Sequence, residues 1–361
     1  ATVGGTLVAS RYSFKQIGGP ISATDSDADA PATVVAGSPL AVSLSLYDAY
    51  SHEVSSRYGS LDLETTSTLT GAVVDSVRYT ESGGFKVYLK ATVVDTGVVT
   101  VTVDGVSLTT DPIAVLADVA RPVESTLRAS GKWVAADGVS AVTLTASMRD
   151  IWGNATTAAS GSVTFETDLG TLTVTDADPS DDGRSVATLT STTADTATVI
   201  AKLSGVELGR LAVVFEAGAP SMATSTLVLS ASSMTADDSV QVSVTLRDAE
   251  GNLITGASDV VVTSSLDGTV VTTPLAASAS SYTAHVSSRA VGTTTIGATV
   301  NGSALTATSD LAISAGAPSA LTSTLAAART SSSIDSTVSV TLSLYDQWGN
   351  ATQDGSASVV M

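Results

Sequence analysis

Apolar and polar residues alternate along most of this chain with a period of two, and the alternation keeps returning to the same ending. Val240, Val242, Val244 and Leu246 are separated by Gln241, Ser243 and Thr245. A segment of this kind forms a strand with one dry and one wet face. Val142 to Met148, Val240 to Leu246 and Val338 to Leu344 share the pattern. Each runs into an Asp and then Gly-Asn: Asp150 with Gly153-Asn154, Asp248 with Gly251-Asn252, Asp346 with Gly349-Asn350. These Asp residues stand 98 positions apart, and a degenerate copy, Val42 to Leu46 with Asp48 and Tyr50, lies about one period earlier. Self-similarity at a fixed period defines the folding unit before any single residue is interpreted.

Within the third unit, Tyr282, Ala284 and Val286 alternate with Thr283, His285 and Ser287, and Ile296, Ala298 and Val300 run into Asn301-Gly302. Asn-Gly is a strong short hairpin signal, and Asp104-Gly105 and Ser204-Gly205 stand at the corresponding places. Helical periodicity of useful length is missing. About seven short strands per unit, separated by Gly, Asn, Asp and Ser turns, predict an all-β chain of tandem immunoglobulin-like β-sandwiches in an elongated rod.

Pro122, Pro220 and Pro318, again 98 apart, mark the boundaries. A proline in so short a linker holds the chain extended and stiff. The predicted units are 1–118, 119–218, 219–316 and an incomplete 317–361, the N-terminal half of a domain. The marker Ser-Thr-Leu opens units two to four at Leu127, Leu227 and Leu325. In unit one the similar Gly5-Thr6-Leu7 lies nearly twice as far from its Asp, so an acidic insertion is expected near residues 14–34. Unit four stops at Met361, on a segment matching Gly161 to Phe165, and is read as a fragment of a longer array or as half a sandwich completed by another subunit.

The chain has no Cys, so no disulfide staples it, which suits a bacterial or archaeal surface protein or an intracellular one. Cysteine-ligated zinc and thiolate catalysis are excluded outright. The formal net charge of -19 argues against nucleic acid and anionic membrane surfaces as partners. No apolar run approaches the ~20 residues of a membrane helix, so no membrane insertion is expected.

Ala136-Asp137-Gly138-Val139-Ser140, the alternating strand to Asp150, Gly153-Asn154, Gly161 to Phe165 and Leu169-Gly170-Thr171-Leu172 together resemble the bacterial Ig-like domain of the invasin and intimin type. Ala187 to Thr198, a Thr-rich run into a strand, adds to the likeness. Unit two matches best and unit one least. The resemblance implies an extracellular spacer of adhesins, surface-layer proteins and other envelope proteins, with binding usually left to a terminal domain.

Candidate chemistry is sparse. The chain has two histidines, His52 and His285, and His52-Glu53 lacks the second His of a zinc protease helix. No enzymatic activity is expected, because no set of convergent groups is visible. Calcium, as a structural ion, is the more serious expectation. Asp25, Asp27 and Asp29 alternate in one stretch, and Asp176, Asp178, Asp181 and Asp182 crowd another. Hard oxygen ligands so spaced in a loop can converge on one ion, although a solvated acidic turn is the simpler reading of each cluster, since Asp favours turns.

Trp152, Trp348 and Tyr50 recur just before Gly-Asn or its counterpart, with Glu250 breaking the series. They are candidate partner contacts, able to stack on a sugar or fill a pocket, or else they cover the end of their own unit or touch the adjacent one. Sequons at Asn154, Asn301 and Asn350 coincide with turns, and turn chemistry accounts for them.

The expected function is that of a non-enzymatic structural protein on a bacterial or archaeal envelope, self-assembling into a surface array or contacting other surface components. The alternatives are an adhesin stalk below a receptor-binding domain, or carbohydrate-binding modules of a larger secreted enzyme that would bind glycans.

Overall fold

The computed structural model describes residues 2–3, 6–7, 19–54, 61–80, 84–156, 163–176, 183–255 and 258–352. Every regular element among them is a β-strand. Unit two shows the plan. One sheet takes the strands Thr126–Ala129, Val142–Ser147, Arg184–Thr190 and Thr171–Asp176 in that order; the other takes Trp133–Ala135, Val206–Glu216, Thr196–Leu203 and Val163–Thr167. The opening segment of the unit therefore serves both sheets. Thr126–Ala129 pairs antiparallel in the first, and after a short crossing Trp133–Ala135 pairs parallel with the closing strand of the second. Unit three repeats this order with Thr226–Leu229 and Ser233–Thr235 in the same two roles.

The alternation in the sequence becomes the core directly. Val142, Leu144, Ala146 and Met148 are buried, while Thr143, Thr145 and Ser147 are not. Because a strand turns successive side chains to opposite faces, each aliphatic row meets the row of the facing sheet. Three separate buried clusters result, one per complete sandwich, built around Leu40 and Val87, Leu144 and Leu189, and Val242 and Ile296. Burying one such side chain stabilises the fold by about 1.5–3 kcal/mol.

The closing hairpins follow the expected chemistry. Asp104-Gly105, Ser204-Gly205 and Asn301-Gly302 all have both turn residues at positive φ, the geometry that matches the twist of the flanking strands.

Unit one departs from its expected layout. Asp27–Asp29 is a strand, paired with Pro39–Ser45 as Thr226–Leu229 is paired with Ser239–Thr245. The acidic stretch is thus the opening strand of the unit and not an insertion. Thr2–Val3 pairs with Thr6–Leu7 in the register Thr2↔Leu7 and Val3↔Thr6. The closing hairpin of unit three has the same register, Thr299↔Ala304 and Val300↔Ser303, in the similar sequence Ala298 to Gly302. Gly19 then occupies the place of Gly316, each N–H donating to the unit's Asp. By this correspondence Thr2–Val3, Thr6–Leu7 and Gly19 match the end of a repeat, and unit one opens near Pro20. The counterpart of Ser125-Thr126-Leu127 is Ser26-Asp27-Ala28, not Gly5-Thr6-Leu7.

In unit four, among the described residues, Thr324–Ala327 pairs with Val340–Ser343 as one two-stranded sheet. The segment compared with Gly161 to Phe165 lies outside the described residues.

Candidate functional site at the joints between units

Each alternating strand ends on a buried Asp: Asp48, Asp150, Asp248 and Asp346 are at most 2% exposed. A buried carboxylate is costly unless donors surround it, and here the loop that follows supplies them. In unit two, Asp150 Oδ1 accepts the N–H groups of Trp152 (2.8 Å) and Asn154 (2.9 Å). Its Oδ2 accepts the Asn154 side-chain amide (2.8 Å) and the N–H of Asp118 in the incoming linker (3.0 Å). Asp248 repeats the set with Glu250, Asn252 and linker Gly218, and Asp346 with Trp348, Asn350 and linker Gly316. The Asp therefore closes its own loop and fixes where the chain enters the unit.

The Ser of the Ser-Thr-Leu marker adds a second pin. Ser125, Ser225 and Ser323, with Ser26 in unit one, each accept through the hydroxyl oxygen from the N–H of the residue just before the Asp. All but Ser323 are buried, which explains why this marker recurs.

The Asn carries the contact outward. Asn154 Nδ2 donates its other proton to the Thr92 carbonyl of unit one (2.8 Å), and its Oδ1 accepts the Val94 N–H (3.1 Å). Asn252 does the same to unit two, through the Thr192 carbonyl (3.0 Å) and the Ala194 N–H (2.9 Å). Asn350 donates to the Arg289 carbonyl of unit three (2.9 Å). In the first two joints the half-buried amide spends both protons and its oxygen. One side chain thus links the loop, the linker-binding Asp and the preceding sandwich.

The carboxylates are acidified accordingly. Asp48 is held at about 2, from an ordinary 3.8, by the N–H groups of Gly19 first, then His52 and Tyr50, against the opposing effect of burial. For Asp150, Asp248 and Asp346 burial pushes upward most strongly. The donors together outweigh it, the Asn amide foremost, and leave each carboxyl below its usual range.

The recurrent aromatics belong to these joints. Trp152, half exposed, lies against Gly37 of unit one; a Cβ at Gly37, which has φ +77°, would sit 2.5 Å from Cζ2 of the indole. Only glycine combines that backbone angle with so close an approach. Trp348 is covered by the Arg289 guanidinium of unit three, 3.9 Å from the ring centroid, and Arg289 in turn reaches Asp237 at 3.3 Å. The adjacent unit is therefore what Trp152 and Trp348 touch. Tyr50 is 82% exposed, with His52 as its ring neighbour among the described residues, at 6.4 Å.

The expected calcium ligands do not assemble in unit one. Asp27 and Asp29 stand on one face of a strand, on either side of buried Ala28. Asp25 instead accepts the Ser22 hydroxyl at 2.5 Å, within a turn. Among the described residues no three acidic or His side chains converge on a metal site. Asp178, Asp181 and Asp182 lie outside the described residues, and Asp176 ends the strand Thr171–Asp176. His285 is exposed, as the alternation predicts. Trp133 passed unnoticed in the sequence. It stands 65% exposed at a sheet edge, and its phase opposite buried Ala136 was the available signal.

Among the described residues no helix is long and apolar enough to cross a membrane. The profile of the family described as invasin, domain 3, matches residues 121–218 and 221–316, more than half of the chain. FdeC, a broadly conserved Escherichia coli adhesin, superposes with a TM-score of 0.53 at 20% identity, covering 83% of this chain and 100% of that one. Invasin, a bacterial integrin-binding protein, gives a TM-score of 0.50 at 25% identity; the match covers 83% of this chain and 61% of invasin. No curated protein sequence matches the chain. Repeat, sandwich topology and family profile agree: the chain belongs to the invasin domain 3 family and is a bacterial cell-surface protein of adhesin-like, Ig-domain build.

Proposed function

We propose that this chain is a non-enzymatic spacer, a run of sandwiches held head to tail so that the surface protein carrying them keeps its reach. The observation that carries this reading is the Asp–Asn joint, repeated at three junctions with the same donors and acceptors. Domain contacts within a chain are by default loose and permit relative motion. A half-buried amide hydrogen-bonded at once to the linker-binding Asp and to the neighbouring unit removes much of that freedom.

In this reading Trp152 and Trp348 stiffen joints and do not hold a sugar. Nor are Asn154 and Asn350 glycan acceptors, since their amide protons are already committed. Invasin is an integrin-binding protein; a partner for this chain would be met by parts of the surface protein other than these joints. Small-angle scattering of the purified chain tests the spacer. A radius of gyration far above the ~21 Å of a compact 361-residue chain is expected. A value near that of a compact particle would refute it.

A further inference from the structure

The outer face of one sheet in unit one divides its charge in two. On the opening strand Asp27–Asp29, both acids point outward around buried Ala28. Two strands away, on Phe85–Lys90, Lys86, Tyr88 and Lys90 point outward between buried Phe85, Val87 and Leu89. On the neighbouring edge strand Val73–Tyr79, Arg78 pairs in register with Lys86 and lies over the Tyr88 ring at 5.6 Å. Asp75, at the bulge of that strand, is the single acid on these two strands and takes the Ser76 hydroxyl at 3.5 Å. Between the halves, Pro39–Ser45 presents the small side chains of Ala41, Ser43 and Ser45.

Arg78, Lys86 and Lys90 make no ion pair among the described residues. The row Asp29, Ser43, Lys86 is continuous across three strands, so opposite charges stand roughly 10 Å apart on a flat floor. Among the described residues no ion pair joins them across Ser43, and the acids and Lys90 are exposed while Lys86 is half-buried. The same face of unit three carries Thr226, Val228, Gln241, Ser243, Thr283 and His285, without an Asp, Glu, Lys or Arg.

We infer that this face of unit one pairs with the same face of a second copy, related by a two-fold axis, so that Asp27 and Asp29 of each chain meet Lys86, Lys90 and Arg78 of the other. A two-fold contact requires a self-complementary patch, and a surface with acid on one side, base on the other and small residues between supplies one. Four strands about 4.8 Å apart and up to seven residues long offer roughly 400 Å² per copy. That is about half of what a standard stable interface buries per partner. The pairing is accordingly weak between free molecules and gains from many copies held side by side on one surface. It builds on the surface-spacer reading and adds a lateral partner to it; the stiffness of the joints does not depend on it.

Sedimentation equilibrium of the 361-residue chain at about 0.1 to 1 mM, in ~0.15 M and ~1 M NaCl, tests the pairing, since ~1 M salt shortens screening to about 3 Å. Reversible dimers are expected in the lower salt, with the association weakened at least tenfold in the higher. Lys86→Glu/Lys90→Glu and Asp27→Lys/Asp29→Lys should each remain monomeric, and an equimolar mixture of the two should restore a heterodimer. All four substitutions are at surface positions, and circular dichroism melting confirms that the variants fold. A wild-type monomer throughout, or self-association surviving either charge reversal, overturns the inference. Neither outcome touches the scattering result that tests the spacer.

Discussion

The joint between units one and two and the joint between units two and three are made from the same hydrogen bonds and differ in one covering side chain. Asn154 and Asn252 grip the preceding sandwich through matching carbonyl and N–H partners. Above that grip the first joint lays Trp152 on Gly37, whereas the second has Glu250 at the same loop position. The third joint returns to an aromatic, Trp348, and covers one face of it with Arg289, which Asp237 holds. The comparison separates two functions: the Asp and Asn set the connection, and the aromatic adds apolar cover to it.

The connection is the larger effect. Asp248→Ala leaves the N–H groups of Gly218, Glu250 and Asn252, and the Asn252 amide, without their acceptor. A loss of roughly 3 kcal/mol or more from unit three is expected, since each orphaned buried donor costs about 1–3 kcal/mol. Urea unfolding monitored on that unit would show it, and a loss below about 1 kcal/mol would mean that the carboxylate is not what holds the loop.

Acid should take apart the same interaction more gently. The folded carboxyls sit below their unfolded value, so their stabilisation is complete above about pH 4. It falls away as pH drops toward the folded value, near 2 for Asp48. Thermal melts between pH 5 and pH 2 should decline through that window, and Asp248→Ala should flatten the part of the decline that belongs to unit three.

Gly37→Ala tests the cover at the first joint. It places a methyl 2.5 Å from the indole and forces φ +77° on a residue with a side chain. A cost of about 1–3 kcal/mol to the joint is expected. Trp152→Glu in the same background should recover only the steric share, measured as the separate melting of units one and two.

The smallest expected effect concerns the third joint. Trp348→Ala removes a ring contact with Arg289 worth about 0.5–2 kcal/mol. Glu250→Trp should move the second joint toward the behaviour of the other two. Limited proteolysis in the linker near Gly218 reads both: slower cleavage for Glu250→Trp would agree, and unchanged cleavage would leave the aromatic without a stiffening function.

Much of this fold was legible because a period of two admits one interpretation. Val142 to Met148 alternates apolar and polar, and burial follows that order residue by residue. The hairpin dipeptides were equally plain, as Asn301-Gly302 needs positive φ twice and few other pairs accept it. The joint was half visible. Asp248 and Asn252 stood out by recurrence, but the acceptor of the Asn amide is the Thr192 carbonyl, a backbone group 60 residues away that any residue type could provide. Asp25, Asp27 and Asp29 were ambiguous for a related reason: acids two apart point the same way on a strand as well as in a loop, and the pairing of Asp27–Asp29 with Pro39–Ser45 shows which of the two this stretch is.

The central claim is that the Asn bridge fixes the orientation of consecutive units. Pulsed electron paramagnetic resonance, with one spin label on unit two and one on unit three, measures this directly, and the chain's lack of native Cys simplifies labelling. A single narrow distance distribution is predicted for the wild-type chain, broadening at least twofold for Asn252→Ala while both sandwiches stay folded. Distributions of equal width in the two proteins would contradict the account.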